Sequence, residues 1–247
     1  MHGLLVAARY LTIVPFPGGA YAPLPGLGRA APWFPVVGLG IGALLVATDR
    51  LTTRLFPALL AALLTVTLWK LVTGGLHLDG LADCLDGLLG RDPGHRLAIM
   101  RDSRIGAFGA VGLILFLLLE LAAVAELPSP ARWQTLLAAP VIARAAPPLL
   151  ARLFPAARPD GMGAAFERDV RAWAPLVVIV IALVAGIAAL GVAGVLAAAV
   201  AMLAAAALGR FFSGRLCGIT GDVLGASVEI AELAVLLTVS AWVHTHV

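Results

Sequence analysis

The segment from residue 172 to residue 209 runs for 38 residues without a charged side chain. As one α-helix it would be about 57 Å long, nearly twice the roughly 30 Å hydrocarbon core of a bilayer. The segment therefore predicts two membrane spans, and Gly191 and Gly194 mark where the chain is expected to break between them. This stretch alone indicates an integral membrane protein.

The composition of the whole chain indicates the same class. Of its 247 residues 61% are hydrophobic and 13% are charged, and the charged share is about half the roughly 25% usual in soluble domains. A soluble domain and a disordered chain are both excluded. The net charge is only +3 and no basic run occurs, so we expect no nucleic-acid partner. We expect a single membrane domain over residues 1–247, with the lipid bilayer as its partner.

Five further apolar stretches have the length of a membrane span, which takes about 20 residues. They cover residues 31–48, 55–73, 106–125, 133–151 and 225–243. The stretch 133–151 contains an arginine and three prolines, and membrane helices tolerate prolines where neighbouring groups satisfy the freed backbone. With the two spans in the charge-free segment, we predict an all-α, polytopic fold of about seven transmembrane helices.

Arginines are divided unequally between the two sides that this count defines. Twelve fall in segments on the side of the N-terminus and three on the other side. Cytoplasmic segments of membrane proteins carry the excess of basic residues. We therefore predict that residues 77–105, 152–171 and 210–229 face the cytoplasm and that the C-terminus lies outside.

Lys70, Glu120 and Arg144 are charged residues that lie well inside predicted spans. A charge near the centre of the bilayer costs about 2.5–3.5 kcal/mol on insertion scales. We therefore expect Glu120 and Arg144 to pair with each other or with Lys70.

A short acidic segment follows the second predicted span. Gly74 and Gly75 are expected to end that span and to start a short helix, interfacial or re-entrant, that carries Asp79, Asp83 and Asp86. Their i, i+4, i+7 spacing places three carboxylates on one helix face. No basic residue lies within residues 71–90, so a hard cation such as Mg²⁺ is the favoured compensation. The alternative is a solvated face of an interfacial helix.

Residues on either side of the acidic face are candidates for ligand contacts. His77 is expected to lie off that face and to mark the helix start or contact a substrate. Arg101, Asp102, Ser103 and Arg104 stand directly before the next span. The N–H groups of a helix N-terminus and two guanidinium groups suit an anion, and Asp102 would add a metal ligand. The alternative is a charged cap at the membrane surface, with Ser103 as N-cap.

Two more segments on the inner side carry candidate residues. Arg158 and Asp160 lie in a turn-rich stretch that would wrap a ligand or serve as a plain connector. Asp222 precedes Glu229 and Glu232, which are spaced i, i+3 near the start of the last span. Ionisable residues placed there are functional candidates, and complementing the helix dipole is the alternative. We predict that these three acids approach the acidic helix.

The motifs occur in a specific combination. The acidic run from Gly74 to Gly87 is followed by Met100-Arg101-Asp102-Ser103-Arg104-Ile105-Gly106, and shorter motifs extend along most of the chain, among them Pro15-Phe16-Pro17, Arg158-Pro159-Asp160-Gly161-Met162-Gly163 and Thr220-Gly221-Asp222-Val223-Leu224-Gly225. This combination resembles the cobalamin synthase family. Cys217 stands where the family often has glycine.

The resemblance implies a multi-pass enzyme of the bacterial or archaeal cytoplasmic membrane, with its active face toward the cytoplasm. The implied activity is that of an adenosylcobinamide-GDP ribazoletransferase. Such an enzyme joins α-ribazole, or its 5′-phosphate, to adenosylcobinamide-GDP, releases GMP and yields adenosylcobalamin or its phosphate in the last steps of cobalamin biosynthesis. Mg²⁺ is the implied cofactor. Homo-oligomers and association with other cobalamin-assembly enzymes are further expectations.

This chemistry gives each motif a hypothetical role. Charge builds up on a transferred phosphoryl group, and metal-bridged carboxylates and arginines stabilise it. The metal ligands would be Asp79, Asp83, Asp86 and Asp102. The catalytic groups would be Arg101, Arg104 and Asp86, the last as a hypothetical base. The substrate contacts would be His77, Ser103, Arg158, Asp160, Asp222 and Glu229.

Two other classes of protein match parts of the pattern. A CDP-alcohol-type membrane phosphotransferase also uses several aspartates and a divalent metal, but its pattern places Ala-Arg after Asp-Gly, whereas Ala82 is followed here by Asp83. A cation-coupled transporter would use the carboxylates as an ion path. Against this second class, the acids cluster with arginines at one membrane face.

Overall fold

The computed structural model describes residues 2–16 and 26–246, and these form twelve α-helices and one 3-10 helix. In chain order they are α1 (His2–Leu11), the 3-10 helix (Leu27–Trp33), α2 (Phe34–Leu55), α3 (Ala58–Val72), α4 (Leu76–Gly87), α5 (Pro93–Ile99), α6 (Ala107–Glu126), α7 (Ala131–Ala143), α8 (Ala146–Leu153), α9 (Met162–Asp169), α10 (Ala174–Leu190), α11 (Val192–Leu216) and α12 (Gly221–His246). The predicted all-α class is confirmed. Pro17, which contributes to the family resemblance, lies outside the described residues.

Helices of membrane-spanning length make up most of the described chain. Five segments are long and apolar enough to cross a bilayer, namely Leu27–Leu55, Ala107–Glu126, Ala131–Leu153, Val192–Leu216 and Gly221–His246. Two bent pairs, α3 with α4 and α9 with α10, reach the same length and hydropathy, and their helices meet at 88° and 90°. The polytopic fold is confirmed, and the predicted seven spans are reached when each bent pair counts as one. We take α3 and α10 as the spanning parts of these pairs, because α4 and α9 are short and carry charged faces.

The charge-free segment forms a helical hairpin. Gly191 separates α10 from α11 with a φ of 58°, a conformation that favours glycine. The two helices then pack together where the backbones of Gly186 and Gly194 touch. Small residues allow this close approach in membrane helix pairs. The predicted break near Gly191 is confirmed.

The proline-rich span occupies the middle of the bundle. It consists of α7 and α8, which α2, α10 and α12 surround. Pro140 lies within α7, while Pro147 and Pro148 fall in the first turn of α8, where the missing proline N–H is not needed. Gly38 of α2 lets its backbone rest directly on Pro140. The predicted span at 133–151 is therefore confirmed as a buried helix pair.

Candidate active site

The acidic helix α4 takes its direction from a sharp turn at two glycines. Gly74 and Gly75 have φ values of 63° and 67°, and residues with a side chain rarely adopt this left-handed conformation. The turn bends α4 away from α3 by 88°, and α4 begins at Leu76. The sequence prediction that these glycines end one helix and start another is confirmed.

The three aspartates of α4 lie at different depths. Asp79 is exposed, Asp83 is half-buried and Asp86 is buried. The Asp86 carboxylate accepts hydrogen bonds from the backbone N–H groups of Gly106 at 2.7 Å and Gly109 at 2.8 Å. Helix N-termini have N–H groups without intrahelical partners, and a carboxylate satisfies them. Asp86 therefore caps α6 and fastens it to α4.

The start of α12 docks on α4 at Gly80. A Cβ at Gly80 would lie 2.7 Å from the carbonyl oxygen of Asp222, so a side chain there would push the two helices apart. The Thr220 hydroxyl donates a hydrogen bond to the Asp222 carboxylate at 3.1 Å. More than 130 residues separate Asp222 from α4 in the sequence. The predicted approach of Asp222 to the acidic helix is confirmed.

A cavity of about 630 Å³ lies between α4 and the loop that joins α5 to α6. We call it the arginine cavity, and its charged and hydroxyl lining consists of Asp79, Asp83, Arg101, Asp102, Ser103 and Arg104. Arg104 donates from Nε to Oδ1 of Asp102 at 3.0 Å and from Nη2 to Oδ2 at 2.6 Å. These hydrogen bonds lower the pKa of Asp102 to about 2. The cavity thus combines the two motifs that the sequence singles out.

A second cavity, of about 290 Å³, lies on the other side of the first turn of α4. We call it the aromatic cavity, because Tyr10, Phe34 and Phe166 line it, together with the polar residues His77, Asp79, Arg158, Thr220 and Asp222. Leu76 and Asp79 line both cavities. The first turn of α4 is therefore the wall between the two cavities.

Negative charge is in excess around Asp83. Burial raises the pKa of Asp83 to about 7, and the carboxylates of Asp222, Asp79 and Asp86 act in the same direction. Arg158 opposes this shift, although burial lowers the pKa of its own guanidinium group. The acidic face therefore has more negative charge than its protein neighbours compensate, which is the property expected of a cation site.

The loop before α9 also reaches this end of the bundle. Arg158 donates from Nη2 to the carbonyl oxygen of Leu97 at 2.7 Å, and the Ala157 N–H donates to the carbonyl oxygen of Ile219 at 2.8 Å. Asp160, in contrast, is exposed and lines neither cavity. The three segments that the arginine distribution assigns to one side of the membrane thus meet in one place.

Glu229 and Glu232 belong to a buried ionic cluster and not to the acidic face. The ammonium group of Lys70 donates to Glu229 at 2.6 Å, to Glu120 at 2.9 Å and to Glu232 at 3.2 Å. Arg144 forms an ion pair with Glu232. The expected pairing of Glu120 with Lys70 is confirmed, whereas Arg144 pairs with Glu232 and not with Glu120 or Lys70 as expected.

The sequence prediction placed the glutamates of α12 wrongly. Glu229 lies seven residues after Asp222, about 10 Å further along the helix, and it lines neither cavity. A carboxylate buried at this depth requires a cation, and Lys70 supplies it. The predicted approach holds for Asp222, whereas Glu229 and Glu232 direct their carboxylates to Lys70 and not to the acidic face. The substrate contact predicted for Glu229 remains untested.

Sequence reasoning missed the aromatic lining of the second cavity. Tyr10, Phe34 and Phe166 come from α1, α2 and α9, and no local spacing relates them. Their rings stack in a row, with centroids 6.2 Å apart between Tyr10 and Phe34 and 5.7 Å apart between Phe34 and Phe166. A buried pair between Asp49 and Arg132, with an Nε–Oδ1 distance of 2.7 Å, was also missed. Only the packing of helices distant in sequence creates these contacts.

The fold and this site define a class of protein. It is a multi-pass membrane protein in which carboxylates and guanidinium groups converge at one end of a helical bundle, an arrangement suited to phosphoryl transfer. The chain matches the family described as cobalamin-5-phosphate synthase over residues 3–240. The chain belongs to this family.

Curated relatives of similar length match almost the whole chain. An adenosylcobinamide-GDP ribazoletransferase of Geotalea daltonii is 40% identical over 96% of this chain and 96% of its own. One from Pseudomonas aeruginosa strain PAO1 is 40% identical over 97% and 98%, and one from Brevibacillus brevis is 37% identical over 98% and 99%. No solved structure shows a significant match to this chain.

Proposed function

We propose that this protein catalyses the reaction for which its relatives are named, at the acidic face of α4. A ribose hydroxyl of α-ribazole, or of its 5′-phosphate, attacks the cobinamide-bound phosphorus of adenosylcobinamide-GDP. The bond between this phosphorus and the bridging oxygen of the pyrophosphate breaks, and GMP leaves with that oxygen. The hydroxyl proton is released, and the other product is adenosylcobalamin or its phosphate.

One observation carries this proposal. Two motifs that are separate in the sequence, the acidic helix and the Arg101–Arg104 segment, line a single cavity of about 630 Å³. A pyrophosphate carries several negative charges, and guanidinium groups bind its oxygens with fixed geometry. Arg101 and Arg104 would neutralise the transferred group as its charge grows in the transition state, and Ser103 would add a hydroxyl donor.

The carboxylates of α4 suit the proposed cofactor, Mg²⁺. Asp79 and Asp83 would hold the ion, with Asp102 close by in the same cavity. Among the described residues, the one cluster of three acids close enough to share an ion directly is Glu120, Glu229 and Glu232, and Lys70 already occupies its centre. The acidic face is more open, as expected for an ion that keeps waters and substrate phosphates as ligands. When bound, Mg²⁺ would neutralise charge on the pyrophosphate oxygens.

Asp86 has a positioning role in this proposal. Both of its carboxylate oxygens accept hydrogen bonds from backbone N–H groups at the start of α6. Because the Arg101–Arg104 segment leads directly into α6, these bonds hold that segment next to α4. The sequence hypotheses of a metal ligand and a base at Asp86 remain untested. The observed contacts favour a residue that aligns the two motifs.

A transfer assay tests the proposed function. Purified protein in detergent or nanodiscs is incubated with adenosylcobinamide-GDP, α-ribazole and Mg²⁺, and GMP and the cobalamin product are measured. We expect the two products in equal amounts, and none when α-ribazole is omitted or the metal is chelated. GMP release that does not require α-ribazole would indicate a hydrolase. No GMP release, together with cation uptake by proteoliposomes, would indicate the transporter class.

We also propose that the site faces the cytoplasm in the cytoplasmic membrane. Cys217 provides a natural reporter, because it is exposed at the end of α11 near the site, whereas Cys84 is buried. A membrane-impermeant maleimide should label Cys217 only after the spheroplasts are opened. The control is a Cys217→Ser/Ser129→Cys variant, whose cysteine lies on the opposite side of the membrane and should be labelled on intact spheroplasts. Labelling of Cys217 on intact spheroplasts would reverse the orientation.

A further inference from the structure

The two cavities beside α4 differ in chemistry. The arginine cavity has two arginines at its exposed edge, Arg101 and Arg104. The aromatic cavity is lined mainly by rings and aliphatic side chains, and its lining includes a single arginine, Arg158, and two carboxylates, Asp79 and Asp222. A diphosphate therefore finds two guanidinium groups in the first cavity, together with carboxylates for a bridging Mg²⁺. A flat apolar ring finds more contact surface in the second cavity.

The rings form one continuous wall of the aromatic cavity. Phe34 is 1% exposed and Phe166 is 5% exposed. Phe34 lies between Tyr10 and Phe166, with interplanar angles of 20° and 19° to them. Aromatic walls of this kind bind heterocyclic bases by stacking, as they do in nucleic-acid complexes. The volume of about 290 Å³ lies near the lower end of the roughly 300–1,000 Å³ found for small-molecule pockets.

Polar atoms at the same cavity lack partners within the described residues. His77 is 4% exposed, and its Nδ1 atom is buried without a hydrogen-bond partner. Nε of Arg158 is likewise buried and unpartnered. Buried polar groups in native proteins nearly always have a partner, so such atoms call for a ligand or an ordered water. A base nitrogen, a ribose hydroxyl or a 5′-phosphate would satisfy them.

We infer that the aromatic cavity binds the base and ribose of the ribazole acceptor, while the arginine cavity binds the pyrophosphate of the cobinamide donor. This inference rests on the proposed function and assigns its two substrates to two places. The first turn of α4, with Leu76 and Asp79, lines both cavities, so the acceptor hydroxyl and the phosphorus would meet there. In a phosphoryl transfer the attacking oxygen, the phosphorus and the leaving oxygen lie in line. An acceptor in the aromatic cavity and a GMP group on the opposite side of the phosphorus would meet this requirement.

Two neighbouring alanines of α9 allow a matched test. Ala164 is buried and lines the aromatic cavity, whereas Ala165 is exposed and lines neither cavity. Ala164→Leu fills space that the base would occupy, and Ala165→Leu adds the same side chain elsewhere on the same helix. Dissociation constants for α-ribazole alone and for GDP alone, measured by equilibrium dialysis, report on each cavity without turnover.

We expect Ala164→Leu to weaken α-ribazole binding about tenfold or more, because leucine adds three carbon atoms and a misfit of one methylene in an apolar pocket already discriminates by about 10–200-fold. GDP binding should stay within twofold, and Ala165→Leu should change neither constant. An analogue with an unsubstituted benzimidazole base, which is smaller, should lose less affinity than α-ribazole does. Should Ala164→Leu not fold, Phe166→Leu, which removes one ring of the wall, should weaken α-ribazole binding selectively.

Separate outcomes contradict the two proposals. The cavity assignment is overturned if both Ala164→Leu and Phe166→Leu bind α-ribazole as the unaltered protein does, or if they lose affinity for GDP and not for α-ribazole. Either result leaves the proposed function intact as long as the unaltered protein carries out ribazole transfer. Selective loss of α-ribazole binding in a protein that forms no cobalamin product supports the assignment and contradicts the proposed function.

Discussion

Arg104 is an exposed residue of the proposed site whose substitution should affect activity without affecting folding. Its side chain is 86% exposed and pairs with Asp102 at the mouth of the arginine cavity. An exposed ion pair contributes little to stability, because water screens it. A change at this position therefore reports on the chemistry of the site and scarcely on folding.

We expect Arg104→Ala to lower kcat for GMP release by about 10²–10³, the usual effect of losing one group that stabilises transition-state charge. The thermal midpoint should not change. Arg91→Ala is the matched control, since Arg91 is exposed on the same side of the bundle and lines neither cavity. Activity of Arg104→Ala within twofold of the unaltered protein would reduce this arginine to a membrane-surface anchor.

Cys217 is strained by its backbone. It ends α11 with a φ of 59° and is the one non-glycine residue with positive φ among the described residues. The left-handed conformation costs a residue with a Cβ about 1–2 kcal/mol, so glycine would fit this position with less strain.

We expect Cys217→Gly to raise the free energy of unfolding by up to about 1 kcal/mol. The free energy of the relieved strain exceeds the cost of ordering glycine, which has more conformational entropy in the unfolded chain. Cys217→Ala keeps the Cβ and should give no such gain. Denaturation of both variants in the same detergent measures the difference, and equal midpoints would show that the turn is not strained.

At the scale of elements, the α4–α6 contact connects the acidic helix to the arginine segment. Sequence spacing predicts α4 and its acidic face, because a helix has a fixed angular period. The same spacing presents Asp86 as an equal third member of that face. Its role as a cap for α6 depends on where Gly106 and Gly109 lie in space, and helix periodicity contains no information about that.

We expect Asp86→Ala to lower the free energy of unfolding by about 1–3 kcal/mol, since it leaves one buried and one part-buried N–H group without acceptors. Asp92→Ala is the control: Asp92 caps α5 through the His95 N–H at 2.9 Å but is exposed, so water replaces it and the loss should be smaller. Hydrogen exchange at Gly106 and Gly109 measures the effect locally, and unchanged protection in Asp86→Ala would contradict the capping role.

The whole molecule depends on a charge balance inside the membrane. Lys70 and Arg144 supply two positive charges against the three carboxylates of Glu120, Glu229 and Glu232. These residues come from α3, α6 and α12 and from the position directly after α7. The hydropathy pattern predicts that such charges must be paired. Which acid pairs with which cation depends on the arrangement of four helices, so Glu229 could be assigned to the wrong partner from sequence.

We expect Lys70→Met to cost about 3–5 kcal/mol of stability, as breaking a buried ion pair usually does. Lys70→Met combined with Glu229→Gln should recover part of this loss, because one uncompensated charge is removed. Arg54→Met, at an exposed position at the end of α2, serves as control. A double variant as unstable as Lys70→Met alone would show that charge balance is not what holds the cluster.

The most direct measurement for the proposed site is the Mg²⁺ dependence of GMP release by Asp83→Asn beside the unaltered protein. Asparagine keeps the shape of the side chain and removes its charge, so we expect a higher Mg²⁺ requirement and a kcat lower by about 10²–10³. The thermal midpoint should stay the same or rise, because one of several mutually repelling carboxylates is removed. Glu126→Gln, exposed at the far end of α6, should behave as the unaltered protein. GMP release by Asp83→Asn at a near-normal rate in limiting Mg²⁺ would contradict the assignment of the acidic face of α4 as the metal-binding part of the active site.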